Sequence, residues 1–188
     1  MERTFEELLV DQCATTLAGV KPSSLFRYQG SAPGEARYQA ELWSRKLAPH
    51  GLMLQILKTC PQTGACMLLL YRADWLRRIL SEQANRRFLG QRGYPQDADL
   101  QQLLELLSQR LCLERDYPHE IGIFLGYPLE DVVGFIQNRG RNFTCCGYWK
   151  AYGDPAAARR RFAQYRRCTE ACNRRFRLGA EITELIAA

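Results

Sequence analysis

Two apolar runs, LMLQILK (52–58) and ACMLLLY (65–71), joined by TCPQTG, constrain this chain more than any other feature. Short apolar runs flanking a turn with proline and glycine predict a β-hairpin. Neither run alternates polar with apolar residues, so layers are expected to cover both faces of its sheet. Ser24 to Tyr28 reads as a further short strand, and Ala36, Ala40, Trp43 and Leu47 mark the helix between it and the hairpin. That strand–helix–strand order implies a right-handed parallel crossover. With FTCCGYWKAY (143–152) read as another strand, the expectation is an α/β (or α+β) fold. It has a small mixed sheet of about four strands, covered by helices.

The helices follow from spacing and punctuation. Residues 2–12 predict a short helix with Cys13 at its end, and Gly19 and Pro22 break the chain after it. Asp74 is the expected N-cap of a helix running through Leu89 and closed by Gly90. Leu100, Leu103, Leu104, Leu107 and Leu111 define an amphipathic helix. Asp154-Pro155 opens a long basic helix whose packing stripe is Ala158, Phe162, Tyr165, Cys172 and Phe176. At 188 residues, the chain is expected to form one compact domain, 1–188.

Charge and cysteine content narrow the setting. The net charge is +6, yet residues 155–178 carry eight arginines and one glutamate, so the remainder sums to −1. A basic element on a near-neutral body is either a solvated helix face or a surface for an anionic partner. No apolar run approaches the ~20 residues of a membrane span, and the acidic amphipathic start MERTFEELLVDQC is not a signal peptide. A cytoplasmic location is therefore expected, with the eight cysteines as thiols or metal ligands.

The stretch 117–150, YPHEIGIFLGYPLEDVVGFIQNRGRNFTCCGYWK, concentrates the residues that carry chemistry. Residues 119–126 and 129–137 predict two short helices in a helix-turn-helix-like arrangement, although 120–125 also suits a strand. Sequence-specific DNA recognition is not expected, because Glu130 and Asp131 occupy the end of the second helix that would meet phosphate. Arg139, Arg141, Arg159, Arg160 and Arg161 are instead candidates for sequence-blind anion binding, to nucleic acid or an acidic protein. His119-Glu120 does not extend to a zincin motif, since residue 123 is isoleucine. His119 remains a ligand or base tuned by a carboxylate such as Glu120, or else a helix cap.

Sulfur is the second source of chemistry. Cys145 and Cys146 point to opposite faces if they lie on a strand, and Cys168 and Cys172 share a helix face. One of the first pair, one or both of the second, and His119 or Cys13 would suit tetrahedral zinc or an iron centre. The competing reading is buried cysteine acting as a small hydrophobe. A thiol-enzyme order also exists, with Cys13 near the start and His119 far downstream. Phosphate-loop, dinucleotide and serine-hydrolase motifs are absent.

CATTLAGVKPSSLF, HEIGIFLGYPLEDVVGFIQNRG, CGYWKAYGD and FAQYRRCT together resemble an uncharacterised bacterial family, domain of unknown function 3793. The resemblance covers nearly the whole chain and implies a bacterial, cytosolic, single-domain protein, with no activity attached. Its motifs contain Cys13, Lys21, His119, Glu120, Cys146, Lys150 and Cys168. On that overlap Cys146 ranks above Cys145, and Cys168 above Cys172. The leading expectation is a site built from Cys13, His119 and Glu120 as catalytic groups, with Cys146, Cys168 and His119 as metal ligands. It would bind a small molecule, metal or metallocofactor, zinc or iron for instance, or perform thiol chemistry. The alternatives are a module that binds an anionic partner and one whose exposed Tyr148 and Trp149 dock another subunit.

Overall fold

A computed structural model describes residues 3–113 and 117–187. The first helix, α1 (Phe5–Leu17), starts at a capping box: Thr4 Oγ1 accepts from Glu7 N and Glu7 Oε2 accepts from Thr4 N. It runs past the expected end near residue 12, so Cys13 lies within the helix. Leu9, Val10, Cys13, Ala14 and Leu17 form one continuous buried stripe, and that burial outweighs the weak helix propensity of Thr15 and Thr16. Gly19, at φ +67°, turns the chain.

The strand β1 (Ser23–Tyr28) and helix α2 (Glu35–Leu47) lie close to their expected limits. Ala36, Ala40, Trp43 and Leu47 are buried as their spacing requires. The hairpin is β2 (Leu52–Thr59) and β3 (Cys66–Arg72), paired antiparallel with a bulge between Ile56 and Lys58. The sheet order is β1-β3-β2, and both ladders are antiparallel. The mixed sheet expected from a parallel crossover is thus corrected: β1 and β2 run the same way, but β3 lies between them. The short hairpin delivers β3 to the edge of β2 at small loop-closure cost. As the most apolar strand, β3 then gains most by being flanked on both edges.

The expected cover on both faces is present. Leu68 and Leu70 of β3 enter one core with Leu9, Val10, Leu17 and Leu47. Leu69 and Tyr71 enter a second core on the opposite face. By the alternation of the strand Leu57 faces that second core, while Leu52 and Leu54 face the first. Helices α3 (Ala73–Ser81), α4 (Gln83–Gly90) and α5 (Leu100–Leu113) build the second layer. The single helix expected over 74–89 is broken at Glu82, whose ψ of 132° leaves the helical region. At the break the Ile79 carbonyl accepts from Glu82 N at 3.2 Å and from Asn85 Nδ2 at 2.9 Å. The N-cap of α3 is Arg72, not Asp74.

Helix α6 (Ile121–Phe124) is one turn long and α7 (Leu129–Gln137) is nine residues. The two helical segments occur, but a single-turn α6 does not make a helix-turn-helix. Gly122 lets them approach, since a Cβ there would stand 2.7 Å from Val132 Cγ2. The strand expected over 143–152 is a hairpin of β4 (Cys145–Cys146) and β5 (Lys150–Ala151), closed by Gly147 N donating to Trp149 O. Gly147 rests against Phe162, where a Cβ would collide at 2.3 Å.

Asp154 caps α8 (Pro155–Arg177) by accepting from Ala156 N at 2.8 Å, as the Asp-Pro pair predicts. Ala158, Phe162, Tyr165 and Cys172 are buried and Phe176 is half-buried. Among the described residues no helix is long and apolar enough to cross a membrane.

Candidate functional site

The helix α7, the β4–β5 hairpin and the start of α8 converge beside a small core of Trp149, Ala151, Ala158, Phe162 and Tyr165. Asp131, in the first turn of α7, fastens them. Its Oδ2 accepts from the indole Nε1 of Trp149 at 2.6 Å, and its Oδ1 accepts from Tyr152 N at 2.6 Å and Gly153 N at 3.0 Å. Charge-assisted bonds of this kind hold a buried carboxylate in place. In the sequence Asp131 is an acid at the start of the second helix; in the fold it binds the hairpin to α7. Trp149 is buried, stacked on Tyr127 with centroids 4.9 Å apart and edge-on to Phe162 at 4.5 Å. It is therefore not the exposed docking residue expected, whereas Tyr148 is exposed.

The result is a cleft of about 400 Å³ floored by Trp149, Tyr127 and Val132 and walled by Phe135, Tyr148 and Tyr117. Such a volume and lining suit a small, largely apolar ligand. His119, Cys146 and Lys150 also line it. The His119 ring meets Phe135 edge-on at 4.8 Å and lies 5.8 Å from Tyr117. Lys150 donates to Gly140 O at 2.8 Å, with its ammonium 5.1 Å from the Phe143 ring centre. Burial pushes the Tyr127 phenol up to about 12, with Tyr165 and Tyr117 adding to the shift, so it stays neutral in this wall.

The other expected site residues lie elsewhere. Glu120, adjacent to His119 in sequence, is buried behind α6, where Arg110 Nη1 at 3.0 Å and Tyr94 Oη at 3.2 Å hold its carboxylate. Cys13 sits in the first core, and burial pushes its thiol above the ordinary range while the charge of Lys21 opposes this. Cys168 and Cys172 occupy the seam between α1 and α8 and point at Ala14 O, at 3.7 and 4.0 Å. Their mutual hydrogen bond raises Cys168 and lowers Cys172 to about 7, with Arg175 assisting the ionisation of Cys172. The fold thus brings His119 and Cys146 to one cleft, with Cys168, Cys13 and Glu120 outside its lining. Among the described residues, no three His, Cys, Asp or Glu side chains are grouped to hold a metal. Arg139, Arg141, Arg159, Arg160 and Arg161 are exposed.

The aromatic walls were not legible as a site. Nothing in the spacing of Tyr127 and Phe135 reveals that they face Trp149 and His119. The available signal was density: seven large aromatics within 117–149.

The fold and cleft define a three-layer α/β protein with an aromatic pocket at one end. The chain belongs to the family described as protein of unknown function (DUF3793), whose model matches residues 9–186. No curated protein and no solved structure matches it.

Proposed function

We propose that this protein binds a small planar ligand in the aromatic cleft, and that His119 and Cys146 supply imidazole and thiol chemistry there. The observation that carries the reading is the shared lining: His119, Cys146 and Lys150 open onto one cleft whose remaining surface is largely aromatic. Aromatic faces stack on flat π-systems, and the ammonium of Lys150 favours an anionic substituent on the ligand. His119 and Cys146 also offer two donors to a zinc or iron ion, with further ligands coming from the bound molecule or water. The test uses Trp43→Phe/Trp75→Phe protein, in which Trp149 is the remaining tryptophan. A panel of heteroaromatic carboxylates is expected to contain members that quench Trp149 saturably and slow iodoacetamide alkylation of Cys146. Both effects should disappear in Tyr127→Ala. A panel without quenching or protection, together with metal-free anaerobically purified protein, removes the proposal.

One observation favours a second reading, in which an anionic partner docks on α8. All eight of its arginines are exposed. The ion pair found for them among the described residues is a loose one, Arg160 to Asp154 at 3.9 Å. Salt-sensitive retention on a polyanion column, lost on replacing Arg159, Arg160 and Arg161 with alanine, is the outcome this reading requires.

A further inference from the structure

Lys21 lies in the α1–β1 turn and is only 7% exposed. A buried ammonium normally meets a carboxylate or backbone carbonyls, because desolvating an unpaired charge is costly. Among the described residues, no acceptor lies within hydrogen-bond distance of its Nζ; the contact it makes is with the Tyr127 ring, 5.1 Å from the centroid. The turn explains this. The carbonyls at the end of α1 are already taken: Thr16 O by Arg72 Nε, Leu17 O by Arg72 Nη2 and Ala187 N, and Thr15 O by the backbone N–H groups of Val20 and Lys21. Burial lowers the lysine to about 8, with Cys13 opposing.

The same side chain lines a pocket of about 300 Å³ on the other side of Tyr127 and Tyr148 from the cleft floor, with Thr15 and Thr169 bringing hydroxyls and Ser24 a hydroxyl already bonded to Thr16 Oγ1 at 2.8 Å. The acid on this wall, Asp11, is occupied: Oδ2 accepts from Arg3 and Gln12, and Oδ1 from Asn173. The pocket therefore offers one unmatched positive charge, hydroxyl donors and an apolar wall of Leu25 and Leu125.

We infer that this pocket is a carboxylate-binding site in which Lys21 is the counter-charge and the neighbouring hydroxyls are supporting donors. A single ammonium balances a monoanion. A phosphate dianion would leave surplus negative charge beside Asp11 and the carbonyl end of α1. The site rests on its own residues and does not require the cleft to bind anything.

Acetate is the probe, titrated against chloride at constant ionic strength, with inorganic phosphate as the contrasting anion. Backbone amide shifts of Lys21, Leu25 and Thr169 are followed by NMR in the wild-type protein and in Lys21→Met. Methionine keeps the apolar stem of the lysine and removes the buried charge, and a circular-dichroism spectrum verifies the fold. Saturable shifts with acetate in the wild type, weakened at least about tenfold in Lys21→Met, are expected. Three results overturn the inference: no saturation with acetate, equal affinity in Lys21→Met, or tighter binding of phosphate than of acetate. Tyr127→Ala cleft results play no part in that decision.

Discussion

Replacing Asp131 with asparagine tests whether one carboxylate holds the cleft together. In the wild type, Oδ1 accepts two backbone N–H groups and Oδ2 accepts the Trp149 indole. Asparagine can keep its oxygen towards Tyr152 N and Gly153 N, but its NH₂ then faces the indole N–H. One charge-assisted bond is lost and two donors oppose each other at a side chain only 4% exposed. Hydrogen bonds to charged groups contribute about 1.5–3 kcal/mol, and a buried unsatisfied donor costs a similar amount, so the expected loss is about 2–3 kcal/mol. Urea unfolding followed by far-ultraviolet circular dichroism measures it, with an unchanged m-value showing that the unfolded state is unaltered. Trp149→Phe removes the opposing donor, so Asp131→Asn should cost about 1.5 kcal/mol less in that background, a coupling the double-mutant cycle isolates. If Asp131→Asn lies within about 0.5 kcal/mol of wild type, or the cycle shows no coupling, the assignment of Asp131 as the fastening group is wrong.

Three further outcomes are expected. The folded-state pKa of Lys21 is depressed, from 10.5 to about 8, so the folded protein binds fewer protons than the unfolded chain between these values and its stability rises with pH there. Lys21→Met is therefore more stable than wild type at pH 7, and the gap should narrow by about 2 kcal/mol by pH 9.5, as chemical denaturation at each pH will show. Comparing the two proteins largely cancels the titrations of Cys13 and Tyr127, which both contain. Gly134→Ala places a Cβ 2.4 Å from the Tyr152 ring and should lower stability by about 1–3 kcal/mol; an unchanged thermal midpoint contradicts this packing. Mass-spectrometric iodoacetamide mapping should find Cys112 and Cys146 modified in the native protein, and Cys13 and Cys66 only after denaturation.

The local signals that proved reliable are those whose physics is complete within a few residues. Asp154-Pro155 opens α8 because a cap and a fixed φ need nothing from afar. The stripe of α2 is buried residue for residue because 3.6-residue spacing alone selects one face. Where the expectations failed, distant packing decided. Apolar contact along α1 carried the helix through Thr16, and the ring of Phe162 lies where Gly147 folds the expected strand into a hairpin.

By itself, the chain's order of residues determined the covered sheet, most of the helices and the crowding of aromatics, thiols and imidazole in 117–150. Tertiary structure alone decided which of them meet. His119 and Glu120 are neighbours in the chain yet face a cleft and a buried Arg110 respectively, because successive side chains in helical backbone point about 100° apart. Lys21 and Tyr127 are far apart in the chain but in contact, because the α1–β1 turn and α6–α7 pack together. Periodicity reports which face of an element is buried, and only the closed fold fixes what that face touches.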